Sequence, residues 1–380
     1  MLKQKICKCA LCCWKIYFYL PIAVLLFWLY YPFVLNLFNS NTELLDNRAL
    51  HTKPQKLSAN FAKEFTDYYN DTFAKRKKLI VKYVKLKQKL KIDTGQYFHG
   101  KDGWMFYDSA KVNNANSMLD YYGTVMFSDK ELEKMRIALE TEKEFYNSLG
   151  AKYMVVVAPN KENLYTEFMP DRMQKMRVSE NSPADVGAEW LNKNSKVEVL
   201  NFKSVLQSAK SDYPYHLYYK KDTHWNEIGG YVATYNLLKR LQKFGVGGSL
   251  IPLTEDMISF VGMIGQDMHP TDKDESYKVE YLADKSFTKN IVQFGKVVVY
   301  ENDNPVANDT IMLMGDSFAE AMLPYLAKNY RKVVNIASGV KDLSFYEEAM
   351  KLYKPKVVVY ELVERYFRTL VNRGKLYGIE

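Results

Sequence analysis

The sequence predicts a three-layer α/β/α domain on a mostly parallel sheet, preceded by one membrane-spanning helix. Three observations carry this. Short apolar, largely β-branched runs alternate with helical patterns along most of the 380 residues. An unbroken apolar stretch of bilayer length stands near the N-terminus, and all 4 cysteines lie ahead of it. Parallel strands are covered on both faces, so they read as continuous apolar runs rather than as an alternation.

The strand runs are "KYMVVVAP" (152–159), "TIMLMG" (310–315), "KVVNIA" (332–337) and "KVVVYE" (356–361). Helical patterns lie between them, in "NEIGGYVATYNLLKRLQKFG", "AEAMLPYLAKNY" and "DLSFYEEAMKLY", which completes a layered α/β/α domain over 96–380. Ahead of the first strand, "SDKELEKMRIALETEKEFYNSLG" offers Ser128 as a helix cap, Glu131 to close a capping box and Gly150 as a stop. "FHGKDGWMFYD" (98–108) reads as a hairpin that opens the domain. The stretch from about Pro252 to Asn308 breaks the rhythm and reads as a β-rich insertion.

Residues 16–38, "IYFYLPIAVLLFWLYYPFVLNLF", contain no Lys, Arg, Asp or Glu and are long enough to cross a bilayer as a helix. Lys3, Lys5, Lys8 and Lys15 precede them, and Glu43, Asp46 and Arg48 are the nearest charges after them. Positive charge stays inside, so residues 1–15 are expected in the cytoplasm and everything beyond about Asn39 outside it. A cleaved signal peptide is the rival reading, against which stand the length of the core, its aromatics and the lack of a small-x-small closing pattern. Cys7, Cys9, Cys12 and Cys13 then stay reduced and leave the outer domain without disulfides. No His or acid accompanies them to suggest a metal site. Residues 39–95 form a Lys-rich stalk with Leu79, Ile80, Tyr83, Val84 and Leu86 at helical spacing. The formal charge of +9 is scattered, as suits an acidic polymer, an anionic surface or plain solvation. No zinc-finger, helix-turn-helix or RNA-recognition signature accompanies it, which argues against nucleic acid.

In an open parallel sheet the chemistry gathers beyond the carboxyl ends of the strands. There the sequence places Asn160 and Lys161, then Ser317, then Ser338 and Gly339, then Glu361 and Arg365. Asp222 and His224, in "KKDTHWNEIGGY", stand in a loop ahead of a helix that would cover the same edge. A serine hydroxyl becomes a nucleophile when an imidazole takes its proton, and the imidazole needs a carboxylate to set its tautomer. Ser317, His224 and Asp222 supply those parts. Gly315 permits a sharp turn, and the helix start after it would aim N–H groups at an oxyanion. Alone, "GDS" is equally a helix cap and His224 a structural histidine; together they read as one site. His51, His99 and His216 lack an acid so placed, while His269 has Asp267 two residues away.

The ordered motifs "GKDGWMFYD", "APNKENLYTEFMP", "DTHWNEIGGY", "GDSF" and "ELVER" resemble the membrane-associated polysaccharide O-acetyltransferases related to the alginate O-acetylation proteins, over about Asp67 to Phe367. The resemblance implies a circularly permuted SGNH hydrolase-like domain in which Asp-x-His precedes the serine. It also implies a Ser317–His224–Asp222 triad without cofactor or metal, a polysaccharide acceptor, and a multispanning membrane acyltransferase that delivers acetyl groups across the bilayer. Two departures stand out. SGNH enzymes carry an oxyanion-hole Asn where this chain has Glu361, Glu364 and Arg365, which leaves the Ser317 backbone N–H with Gly339 or Ser338. No carbohydrate-binding domain follows the last strand before Glu380, so alginate itself is not implied. The expected function is extracytoplasmic O-acetyl transfer to an exported glycan through an acetyl-serine. An acetyl esterase would use the same residues, and a non-catalytic glycan-binding subunit of an export complex is the third reading.

Overall fold

A computed structural model describes residues 19–27, 30–31, 34, 51–72, 78–79, 82–83, 86, 97–109, 117–266, 269–280, 287–292, 297–337, 339 and 342–379. The chain divides into two compact units, Met1–Ile92 and Asp93–Glu380. In the first, residues 19–27 are helical, with Tyr19, Leu20, Leu25 and Phe27 all exposed. The helix Phe61–Thr72 carries the buried Asp71, whose Oδ2 lies 2.8 Å from His51 Nδ1, so His51 finds its acid across the fold rather than beside it in sequence. Among the described residues no helix is long and apolar enough to cross a membrane. Much of the apolar stretch 16–38, the four cysteines and most of the Lys-rich stalk lie outside the described residues.

The second unit holds eleven described strands: β1 (Tyr97–His99), β2 (Met105–Tyr107), β3 (Lys152–Ala158), β4 (Glu198–Asn201), β5 (Ile258–Gln266), β6 (His269–Val279), β7 (Thr288–Val292), β8 (Val297–Glu301), β9 (Ala307–Gly315), β10 (Tyr330–Ala337) and β11 (Val357–Val363). Seven form one sheet in the order β4-β3-β11-β9-β10-β8-β7. From β4 to β10 each neighbouring pair is parallel, as the apolar runs predict. β8 and β7 then continue the sheet antiparallel. Part of the stretch from 252 to 308 therefore belongs to the main sheet, where it covers the open edge of β10. β5 with β6 and β1 with β2 stand apart, each pair as an antiparallel two-stranded sheet.

Side chains along β3 alternate between two cores. Met154, Val156 and Ala158 join a cluster with the helices Lys203–Asp212, Glu227–Lys243 and Leu323–Asn329. Tyr153, Val155 and Val157 join another with the helices Asp129–Ser148, Pro183–Asn194 and Leu343–Tyr353. Those are the two outer layers, and the period-2 alternation of a strand accounts for the split. Ser128 and Glu131 close the capping box, and Gly150 ends that helix at φ +86°. β4 escaped the sequence reading because four residues, "EVLN", at the sheet edge are too few and too mixed to show a period.

The glycines of "NEIGGY" set the fit of the helix Glu227–Lys243. A Cβ at Gly229 would stand 2.3 Å from the Leu217 carbonyl oxygen, and one at Gly230 would stand 2.7 Å from Ala321 Cβ and 2.8 Å from the Ala321 carbonyl oxygen. The helix can approach these backbones only without side chains there. Gly230→Ala should therefore destabilise the domain by about 1–3 kcal/mol. The measurement is the denaturant midpoint, and a midpoint equal to wild type would show that the helix can shift without cost.

Candidate active site

β9 ends at Gly315, Asp316 follows, and a 3₁₀ turn runs from Ser317 to Ala321. A Cβ on Gly315 would stand 2.5 Å from Ala319 Cβ and 3.1 Å from Glu361 Oε2, so glycine is what lets the chain bend here. Asp316 ties the turn down. Its Oδ1 accepts the Phe318 N–H at 2.9 Å, and its Oδ2 accepts the Val363 N–H at 2.8 Å from the end of β11. Phe318 and Ala319 are buried while Ser317 is exposed, which lifts the hydroxyl onto the carboxyl edge of the sheet.

His224 reaches that hydroxyl. Its Nε2 lies 2.7 Å from Ser317 Oγ and its Nδ1 2.6 Å from Asp222 Oδ1. The same Asp222 oxygen accepts the His224 N–H at 2.9 Å. A carboxylate only accepts, so Nδ1 carries the proton and Nε2 is left to accept from the serine. Asp222 is buried and His224 partly exposed, so the carboxylate is shielded and the ring is open to solvent. Next to these groups the two segments interlock. Trp225 Nε1 donates to the Phe318 carbonyl at 2.8 Å, and the Phe318 ring centroid lies 5.3 Å from that of Trp225 and 4.9 Å from that of His224. Phe318 was not singled out by sequence, since nothing local marks an aromatic that meets a residue 93 positions away.

The other sequence candidates are placed as follows. Lys161 is buried and donates to the carbonyls of Tyr219 (3.1 Å), Lys220 (3.0 Å) and Asp222 (2.6 Å). Burial lowers its ammonium pKa to about 7, against the pull of Asp222, Glu162 and Asp274. Asn160 is buried, its N–H donates to Glu364 Oε2 at 2.6 Å and its Oδ1 accepts from Arg365 Nη1 at 3.3 Å. Asn160 Nδ2 has no partner among the described residues. The Arg365 guanidinium lies over the rings of Tyr107, Phe318 and Tyr366 at 5.4, 5.4 and 5.6 Å, at the margin of the site. Gly339 is exposed, and a Cβ there would meet nothing within 4 Å. Ser338 lies outside the described residues. Among the described residues no cluster of His, Cys, Asp or Glu could hold a metal ion.

Glu361 and Glu364, where an oxyanion Asn was expected, are turned inward as scaffolding. Glu361 Oε2 accepts the Asp316 N–H at 3.0 Å, and Glu364 Oε1 accepts from Asn163 Nδ2 at 2.7 Å. Beside the serine turn, a cavity of about 690 Å³ is lined by Asp316, Gly339, Tyr360, Tyr366, Thr369 and Asn372 among others.

The family of the "SGNH hydrolase-like domain, acetyltransferase AlgX" matches residues 98–364. The chain belongs to this family. It is accordingly an O-acetyltransferase of the SGNH hydrolase type. PatB1 of Bacillus cereus, solved with a sulfonyl adduct, is similar in fold, with a TM-score of 0.51 at 14% identity over 73% of this chain and 97% of that one. The O-acetyltransferase domain of Pseudomonas putida AlgJ is similar with a TM-score of 0.45 at 15% identity, over 75% and 95% of the two chains. Pseudomonas aeruginosa AlgX gives a TM-score of 0.47 at 14% identity, over 75% of this chain and 67% of that one. No curated protein sequence matches the chain significantly.

The acetyltransferase buries the Glu361 carboxyl beneath its serine turn. Burial, and then the neighbouring Asp316 charge, push the Glu361 carboxyl well above its ordinary value of 4.5. A raised folded-state pKa means that the folded chain holds this proton more tightly. The contribution to stability is complete below pH 4.5 and is lost as pH rises through the folded value. Glu361→Gln keeps the shape without the proton, so its stability should decline less steeply than wild type as pH rises from 4.5 toward the folded value. Denaturant midpoints across pH check this. Identical slopes would mean that Glu361 is ionised in the folded protein. Asp120 and Glu162, each raised by burial to about 7, should leave a residual slope in both proteins.

Proposed function

We propose that this acetyltransferase moves acetyl groups onto hydroxyls of an exported or cell-surface polysaccharide, through an acetyl ester on Ser317. The observation that carries the reading is the single imidazole of His224, within hydrogen-bond distance of both Asp222 and Ser317. Ser317 Oγ attacks the acetyl carbonyl carbon while its proton passes to His224 Nε2. The bond to the donor's leaving group then breaks, and the imidazolium, steadied by Asp222, returns that proton to the leaving group. An acceptor hydroxyl attacks the acetyl-serine next. Nε2 takes its proton and gives it back to Ser317 Oγ as the new ester departs.

The Ser317 backbone N–H, at the start of the turn, is the first oxyanion donor in this scheme, with Gly339 as the second. The cavity beside Asp316 and Gly339 suits a bulky acceptor, since it pairs tyrosine rings with Thr and Asn donors. Arg365, braced by three rings, and Asn160, whose Nδ2 has no partner among the described residues, are further candidates for contacts with substrate.

In this reading the chain is anchored by the apolar stretch 16–38, with its N-terminus in the cytoplasm and the catalytic unit outside. The exposed apolar side chains of residues 19–27 support it, because lipid would cover them. Acetyl-CoA is cytoplasmic, so a multispanning membrane acyltransferase is the partner that supplies the acetyl group. A reporter fused to the C-terminus should be active only if it is of the kind that works outside the cytoplasm. Activity of a cytoplasm-only reporter would overturn the placement.

The chemistry is tested on the purified full-length protein with an activated acetyl ester as donor. Ser317→Ala, His224→Ala and Asp222→Asn should each lower turnover by roughly 10³-fold or more. Ser317→Ala combined with His224→Ala should be little worse than either alone, because the residues act as a unit. A sulfonyl fluoride should add one mass equivalent to wild type and none to Ser317→Ala. Turnover by a folded Ser317→Ala protein close to wild type would end the reading.

A further inference from the structure

A triad carboxylate must be held to within about 0.5 Å of its working position, yet Asp222 stands in a segment with no regular structure. Between Tyr218 and Trp225, which form an isolated bridge, the chain runs through turns and bends. Its order comes from contacts reaching it from elsewhere. Met105 N donates to the Lys220 carbonyl at 2.8 Å, and Lys221 N donates to Asp274 Oδ2 at 3.0 Å. From the opposite polarity, Lys161 Nζ gathers the carbonyls of Tyr219, Lys220 and Asp222 itself.

We propose that Lys161 is a positioning residue for the Asp222–His224 pair, through the three carbonyls its ammonium gathers. This rests on the triad reading given above. An ammonium has three N–H donors, and here three acceptors lie within 3.1 Å, so none is left over for a substrate or an oxyanion. Trp104 and Phe106, with rings 5.5 and 5.3 Å from Nζ, wall the ammonium in on its apolar side. A compact point charge with donors spread in three directions suits carbonyls that converge from three residues, whereas the planar fork of arginine does not. Because Lys161 follows the carboxyl end of β3, it transmits the position of the central sheet to the loop. The Asp222 carbonyl is the shortest of its contacts, so the residue that orients His224 is itself directly gripped.

The test compares wild type, Lys161→Met, Lys161→Arg and Ser317→Ala as full-length proteins, with the same acetyl ester and a thermal melt to confirm folding. Lys161→Met keeps the chain length and removes every donor. Its kcat should fall about tenfold to a hundredfold, as expected for a displaced catalytic group, while KM changes less than threefold. Its proton spectrum should lose the deshielded His224–Asp222 resonance. Lys161→Arg should fall between Lys161→Met and wild type. A folded Lys161→Met protein with kcat within twofold of wild type overturns the proposal, and so does lost activity with the resonance intact, which would place Lys161 on the substrate instead. If Lys161→Met does not fold, Lys161→Gln, which keeps one amide group as donor, carries the same readouts and the same overturning results. Near wild-type turnover in Ser317→Ala would instead be a failure of the triad reading, and is separable by that variant alone.

Discussion

The site depends on one seam, where the segment entering the helix Glu227–Lys243 meets the turn Ser317–Ala321. Two glycines bring that helix against Leu217 and Ala321, and Trp225 bonds the Phe318 carbonyl across the join. The 2.7 Å separation of His224 Nε2 and Ser317 Oγ follows from this packing. A hydrogen bond between two surface side chains could not by itself hold so exact a distance, because its net worth is only about 1 kcal/mol. Buried rings and backbone in van der Waals contact can, since a close-packed interior has no room to yield.

Around the seam, buried and half-buried polar groups tie the strand ends together. Asp316 joins β9 to β11, Glu361 receives the Asp316 N–H, and Glu364 receives Asn160 and Asn163 after β3. On the other face of the sheet, Arg373 pairs with the buried Glu142 and lies 4.3 Å over the Tyr360 ring. Such groups are costly to bury and far more costly to leave unpaired, so they specify an arrangement more than they add stability. That explains why residues at the position of an expected oxyanion amide are carboxyls instead: here the position serves the scaffold. It also explains why Lys161, which sequence alone placed among the candidate groups beyond the strand ends, turns its ammonium to backbone carbonyls.

Much of the fold was legible because parallel strands and capped helices announce themselves locally. The four apolar runs became β3, β9, β10 and β11, and Ser128 with Glu131 closed the capping box. The short edge strand β4 was not, and β7 and β8 were legible only as part of a β-rich stretch, since their place beside β10 in the main sheet rests on a partner about thirty residues further on. Asp222, His224 and Ser317 could be named from sequence because nucleophilic chemistry demands those residue types. Their supports, Phe318, Asp274 and the roles of Lys161 and Glu361, could not, because a packing partner has no chemical signature of its own.

By itself, then, the sequence determined the α/β class, the strands that bear the candidate site and the three residues, Asp222, His224 and Ser317, that meet there, since all of these rest on local pattern or residue type. Tertiary structure alone decided that the imidazole meets the hydroxyl, that Lys161, Glu361 and Glu364 are turned to the scaffold, and how the sheet ends at β7. Those outcomes depend on contacts between residues tens to hundreds of positions apart, whose geometry is set by the summed packing of the whole unit rather than by any one segment.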